Sequence, residues 1–296
     1  MKHIKIPFAI GIAFFLHSCS ATSKLTVPSV READLQKKYN YETGFNNADT
    51  INFIRIGHAT TLINIGGKTI LTDPWFSEKK GYYRGEPIAF LQDKLPLLSM
   101  IVVSHHHYDH FDIETFKTYP DKNVPFIVPV GVGKKVKSAG FSNVYEIDPW
   151  QSVTIDGVKV TACPAKHKVK EITFMIEAGN RAVYFGGDTK LIPELNEIKT
   201  RFPKIDLAIL SVNGLKIRPM FNKQMVMSAV QAAEFCAFIN PKVAVPIHYN
   251  FSGGKFKDLF ILKYDGNAQE FANATTVNAP KTKTFILETG DTLSIH

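Results

Sequence analysis

The stretch "VVSHHHYDHFD", Val102 to Asp112, sets four histidines and two aspartates directly behind an apolar run. Within it, His105, His107, Asp109 and His110 form an H-x-H-x-D-H pattern. Residues two apart on an extended segment point the same way, so His105 and His107 can grip one cation. The chain then turns, and Asp109 with His110 can face a second. Neutral imidazole and carboxylate are donors that suit zinc, manganese or iron. Crowded behind a buried strand without a cation, they would repel and strand one another. A polar loop with accidental histidines is the alternative, and the spacing argues against it.

Two cations need more ligands, and three strand ends offer them: His167 in "ACPAKHKVK", Asp188 in "YFGGDT" and His248 in "AVPIHY". Singly, a strand-end histidine is usually a solvated residue and an Asp after Gly-Gly usually a turn. Together they complete two sites.

The surrounding pattern is β-rich at first. "INFIRIG" alternates, with Ile51 and Phe53 on one face and Ile54 and Ile56 on the other. Hairpin turns are expected at Gly66-Gly67, Asp156-Gly157 and Gly179-Asn180. "MIVVS", "PFIVPV", "IDLAILSV" and "KVAVPIHY" read as strands, the first two compact and β-branched enough for burial on both faces. "MSAVQAAEFCAFINP" reads as a helix, capped by Ser228 with Gln231 and stopped at Asn240-Pro241. A further helix is expected to start near Asp112, and "TKTFILETGDTLSIH" reads as a final β pair. Early hairpins followed by alternating strands and helices predict packed layers with helices covering sheets. Residues 51–296 show no internal linker, so they read as one domain.

The N-terminus stands apart. Lys2 and Lys5 precede an apolar run from Ile6 to Leu16, then Ser18 and Cys19. This is the pattern of a cleaved export signal, and the run is short for spanning a bilayer. "LHSC" resembles a bacterial lipobox, although His17 is unusual there. That resemblance implies a lipoprotein signal over 1–18, cleavage before Cys19 and lipidation of Cys19. Residues 19–50 then read as a tether and N-terminal segment. The expected location is the bacterial cell envelope, lipid-anchored, on the periplasmic or outer-surface side. Without Lys2 and Lys5 the formal charge of +8 falls to +6, a mild excess that favours anionic substrates or lipid headgroups. No Lys/Arg block points to nucleic acid. Three cysteines give no disulfide framework, and Cys163 and Cys236 read as buried apolar residues.

With these motifs assembled, the chain resembles the metallo-β-lactamase-fold hydrolases from about Ile51 to about Tyr249. "ILTDP", "SHHHYDH", "PAKH", "GGDT" and "PIHY" appear in family order. "IRIGHATTLINIGGKTILTDPWFS" and "NPKVAVPIHYN" look most like the branch containing L-ascorbate-6-phosphate lactonase and N-acyl phosphatidylethanolamine phospholipase D. The resemblance implies an α/β fold, a four-layer αββα sandwich with two divalent ions at one edge, zinc first among zinc, manganese and iron. By the same resemblance, His105, His107 and His167 would hold the first ion. Asp109, His110 and His248 would hold the second, and Asp188 would bridge them. Asp73 in "TDP" would orient a ligand, and His58 in "IGHAT" would stand near the site. Asp109 and Asp188 would be the catalytic carboxylates, working with a metal-activated hydroxide.

Other features depart from the branch. After "LAILSV", Asn213-Gly214 fits the branch, whereas Lys216 and Arg218 have no family counterpart; the three residues are candidates for substrate contact. Trp75 to Pro96 is a long insertion, read as a packed surface loop rather than a lid. A bridging carboxylate in place of a thiolate argues against a β-lactam substrate. The expected activity is hydrolysis of a phosphodiester, phospholipid-like ones included, or of an ester or lactone, the substrate being a small or lipid-like molecule. The alternatives are a non-catalytic metal- or ligand-binding lipoprotein and, less favoured, di-iron redox chemistry. The last is disfavoured because His107 stands where flavodiiron relatives carry a carboxylate.

Overall fold

The structure is a computed structural model that describes residues 49–296. The expected signal, the tether up to residue 48 and the lipidation site Cys19 lie outside the described residues. Among the described residues no helix is long and apolar enough to cross a membrane.

The first half of the chain supplies β1 (Ile51–Gly57), β2 (Thr60–Ile65), β3 (Lys68–Thr72), β4 (Met100–Val102), β5 (Phe126–Pro129) and β6 (Val144–Ile147). Then come β7 (Ser152–Ile155), β8 (Val158–Cys163), β9 (Thr173–Ala178), β10 (Arg181–Phe185) and β11 (Leu207–Ser211). The two-residue strands β12 (Lys216–Ile217) and β13 (Lys223–Gln224) precede β14 (Val243–Ile247). The last three are β15 (Leu262–Lys263), β16 (Lys283–Thr284) and β17 (Thr292–Ile295). The helices are α1 (Ile113–Phe116), α2 (Gly133–Ser138), α3 (Asn196–Arg201), α4 (Ala229–Ile239), α5 (Lys255–Phe260) and α6 (Ala268–Asn278).

Two seven-stranded sheets form, in the orders β17-β1-β2-β3-β4-β5-β6 and β16-β14-β11-β10-β9-β8-β7, beside a small β13-β12-β15 sheet. The hairpins turn where Gly66-Gly67, Asp156-Gly157 and Gly179-Asn180 predict, because left-handed residues there match the strand twist. The alternation in β1 is real. Ile51 and Phe53 enter the core between the sheets, while Ile54 and Ile56 face an outer core with Phe116, Val136 and Phe141. A third core packs Tyr184 and Leu210 against Ile198, Phe235 and Phe271 of the opposite helices. The layers are therefore helix, sheet, sheet, helix. Ser228 and Gln231 close a reciprocal cap on α4, and Asn240 ends it in the left-handed conformation.

The C-terminal tail departs from expectation. β16 joins the second sheet beside β14, and β17 joins the first beside β1, so they are not a pair. The turn between them is held by the first sheet: Gly290 N–H donates to the Arg55 carbonyl (2.7 Å). The tail thus ties the two sheets together. In the 75–96 insertion Trp75, Phe76, Ile88, Ala89 and Phe90 are buried, and the Arg84 guanidinium stacks 4.3 Å over the Trp75 ring. Its tip at Gly81 and Tyr82 reaches the functional pocket.

Candidate metal centre

The site lies where strands end. Asp73 follows β3, His105 to His110 follow β4, Asp188 follows β10 and His248 follows β14. His58 (φ 56°), Asp73 (φ 35°) and His248 (φ 62°) all occupy the left-handed region, an unfavourable conformation that packing enforces and that re-aims each side chain inward. Gly187 (φ 48°) needs to be glycine, since a Cβ would stand 2.5 Å from Glu171 Oε1 and 2.8 Å from Ser104 Cβ.

Three imidazoles converge first. His107 Nδ1 lies 2.9 Å from His105 Nε2 and 3.1 Å from His167 Nε2. Donors on a tetrahedral zinc stand about 3.3 Å apart, given bonds of about 2.0–2.1 Å. Burial lowers the proton affinity of His105, and it lowers His107 to about 3 with His105 adding to the effect. Neutral rings with free lone pairs are what a cation needs. A second group gathers Asp109, His110, His248 and His58, one atom of each lying within 4.8 Å of the others. Asp188 Oδ2 is 3.2 Å from His110 Nε2 and 3.0 Å from His248 Nε2. Although close, both of these nitrogens are buried without a hydrogen-bond partner. Buried ring nitrogens left without a hydrogen-bond partner are costly. Their arrangement, next to a group containing His105, His110 and Asp188, suits metal binding.

Supporting contacts fix the rings. Asp73 accepts three hydrogen bonds, from Ser104 N–H (2.7 Å), Ser104 Oγ–H (2.6 Å) and His110 Nδ1–H (2.6 Å). The last leaves the His110 Nε2 lone pair facing the centre. His167 Nδ1–H donates to the Met225 carbonyl (3.0 Å). Burial alone would raise the Asp109 and Asp188 carboxyls. For Asp109 the His58, His110 and His248 rings outweigh it and keep the group ionised; for Asp188, His110 and His248 do the same. His110 is the mirror case: burial lowers it, but Asp188 and Asp73 raise it above the usual imidazole range. A metal bound there would take the place of that proton.

All seven ligands expected from the sequence meet here, with Asp73 behind them. His58 adjoins the site: its buried Nε2 pairs with Asp109 Oδ2 at 3.5 Å, and its ring lies 4.0 Å from that of His248. It therefore offers a further donor. The stretch after β11 behaves differently. The Asn213 amide lies 2.8 Å from His248 Nδ1 and positions that ring rather than a substrate. Lys216 pairs with Asp265 (2.6 Å) and Arg218 donates to the Leu262 carbonyl (2.9 Å), so neither faces the pocket. Their neighbours Leu215 and Ile217 do, since β12 alternates. Sequence reasoning also missed Glu171. Burial raises its carboxyl to about 8, and its Oε1 accepts the Asp188 N–H (2.5 Å) and stands 3.5 Å from His105 Nδ1. An isolated Glu ahead of β9 carries no motif.

His107, Asp109, His167 and Asp188 floor a cavity of about 240 Å³. Its walls are Leu215, Ile217, Met225, Phe251, Ile261 and Leu262, with Lys168 and Lys257 at the rim.

Fold and site define the class: the metallo-β-lactamase fold with a buried His/Asp cluster suited to metal. The chain belongs to the β-lactamase superfamily domain family, whose model matches residues 68–249. It is 27% identical over 245 residues to a UPF0173 metal-dependent hydrolase of Caldivirga maquilingensis, covering 81% of this chain and 96% of that protein. It is 28% identical over 224 residues to N-acyl-phosphatidylethanolamine-hydrolyzing phospholipase D 1 of Caenorhabditis elegans, covering 66% of this chain and 62% of that one. An uncharacterized protein of Mycobacterium tuberculosis is 32% identical over 176 residues, 53% of this chain; the match spans about half, 47%, of that relative's length. In fold, it is similar to Igni18, a metallo hydrolase from Ignicoccus hospitalis (TM-score 0.64, 21% identity, 83% of this chain and 99% of that one). A possible metal-dependent hydrolase from Veillonella parvula is similar too (TM-score 0.67, 18% identity, 82% and 98%).

Proposed function

We propose that this protein is a membrane-tethered, dinuclear metal-dependent hydrolase that cleaves a phosphodiester, ester or lactone bond, a phospholipid-like diester first among these. The observation that carries the reading is the two donor groups meeting at Asp188 on the floor of an apolar-walled pocket. His105, His107 and His167 would hold one cation, Asp109, His110 and His248 the other, with Asp188 between. Cations bound there supply an acidified water and stabilise charge on the reacting oxygen.

The chain's own groups do the rest. Asp109, held ionised and facing the pocket, accepts a hydrogen bond from the attacking water and orients it. The water oxygen bonds to phosphorus or to the carbonyl carbon, the bond to the leaving oxygen breaks, and that oxygen takes up the proton. Leu215, Ile217 and Phe251 exclude bulk water and give an acyl or alkyl portion a place to lie. Lys168 and Lys257 at the rim attract an anionic headgroup. Zinc suits the imidazole-rich first group, and manganese or iron would also accept these donors. Tethering through Cys19 and an envelope location rest on the N-terminal sequence.

The test is a substrate screen with zinc- and manganese-loaded protein, starting with bis-p-nitrophenyl phosphate, set beside Asp109→Asn. The variant is expected to keep its fold and lose most turnover. Unchanged turnover would refute the role of Asp109, and inactivity of the parent toward every diester, ester and lactone would favour a binding protein.

A further inference from the structure

The pocket wall continues outward as an apolar surface. Ile217 and Leu262 pair across β12 and β15 and line the pocket, and the segments that flank them turn outward. Phe221 is 100% exposed, and Met220, Phe256, Leu259 and Phe260 are exposed by between 46% and 69%. The two segments that carry them meet: Arg218 N–H donates to the Ile261 carbonyl (2.8 Å), and the Phe256 and Phe260 rings lie 5.2 Å apart. Exposed large side chains scattered singly need no explanation, but five clustered at the mouth of a pocket do.

The backbone holds this arrangement against its own preference. Phe221 (φ 54°) and Asn222 (φ 55°) are consecutive non-glycine residues in the left-handed region. An aromatic residue rarely sits there, and here the turn lifts its ring wholly into solvent.

Charge identifies the occupant. Lys223 and Lys255 are exposed within the patch, and Lys257 stands at the pocket rim. The one acid of α5, Asp258, is turned inward, accepting from Gly253 N–H (2.8 Å) and Tyr264 Oη–H (2.8 Å). Aromatic and aliphatic side chains interleaved with lysines, with Asp258 turned inward and Asp265 held by Lys216 and Lys263, match an anionic phospholipid surface. The expected tether would permit the orientation. It enters at the start of β1, whereas the site lies past its end, about 23 Å away at about 3.3 Å per residue. The roughly 30 residues from Cys19 to Asp49 can extend to about 100 Å.

We propose that the lip formed by residues 217–223 and 255–262 docks on an anionic phospholipid bilayer and opens the metal-site pocket to it. The choice of a lipid rests on the functional reading above, but the docking has its own readout. Full-length protein carrying Phe221→Trp is mixed with phosphatidylglycerol-containing vesicles whose acyl chains are brominated. Leu97→Trp serves as control: Leu97 is 84% exposed and precedes β4, at the far end of the strand from the histidines. The expected result is a shift to shorter wavelength and quenching at position 221 alone, above the buried Trp75 and half-buried Trp150 background. No quenching at 221, or equal quenching at 97, overturns the proposal. So does a concentration-dependent shift at 221 without vesicles, which would mark a protein partner or a second copy. Phe221→Asp with Phe256→Asp should lower turnover of a vesicle-borne diester about tenfold or more and leave bis-p-nitrophenyl phosphate turnover unchanged. Quenching at 221 without turnover of any substrate keeps the docking surface and sinks the hydrolase; turnover without quenching does the reverse.

Discussion

Asp73→Asn separates the role of a positioning carboxylate from that of a ligand. In the native site Oδ2 accepts from both Ser104 Oγ (2.6 Å) and His110 Nδ1 (2.6 Å), while Oδ1 accepts from Ser104 N (2.7 Å). An amide has one oxygen. If that oxygen keeps the Ser104 N–H, the NH₂ faces His110 Nδ1, donor against donor. The ring can relieve this only by moving its proton to Nε2, the atom a cation needs. If the amide turns over, its NH₂ opposes the Ser104 N–H in a fully buried place. Either way one buried donor is unpaired, a cost of about 1–3 kcal/mol. Supporting contacts of this kind are typically worth about 10–100-fold in metal affinity. Chelator competition with zinc should therefore show the cation proposed at Asp109, His110 and His248 weakened by roughly that factor. The cation proposed at His105, His107 and His167 should change less, and the apoprotein should melt at a lower temperature. Equal affinity for both cations in variant and parent would refute the argument that Asp73 sets the His110 tautomer.

Other perturbations read different parts of the centre. His58→Ala should weaken the cation proposed at Asp109, His110 and His248 at least about tenfold, because its ring pairs with Asp109 and faces His248; an unchanged zinc titration would show that His58 only fills space. Gly187→Ala should cost roughly 2 kcal/mol or more in thermal unfolding, through the left-handed backbone and the clash with Glu171 and Ser104. Asp206 gives a test away from the metals. Burial would raise its carboxyl, but Lys242 (2.7 Å) and the Ala182 N–H (3.0 Å) hold it below the usual carboxylate value. A depressed folded value stabilises above the unfolded one and is lost as pH falls through it. The melting-temperature gap between the parent and Asp206→Asn should thus be full near neutrality and close below about pH 4.

Much was legible from sequence because the relevant signals are local. Turn glycines, the Ser228–Gln231 cap and the alternation of Ile51 to Ile56 each involve residues a few positions apart, and secondary structure obeys short periods. The donors were legible for a related reason: each sits immediately after an apolar strand, where a sheet edge must present it. Only the tertiary structure decided what depends on which sheet a segment joins and which way its turn points. β16 and β17 separate because Gly290 bonds to Arg55, a residue more than two hundred positions earlier. Glu171 enters the centre through packing that no spacing encodes, and the same packing sets His58, expected near the site, against Asp109 and His248. Lys216 and Arg218 turn away while Leu215 and Ile217 line the pocket, because the parity of a two-residue strand is set by its partners. Local chemistry chose which residues could hold metal; long-range burial and backbone pairing chose what surrounds them.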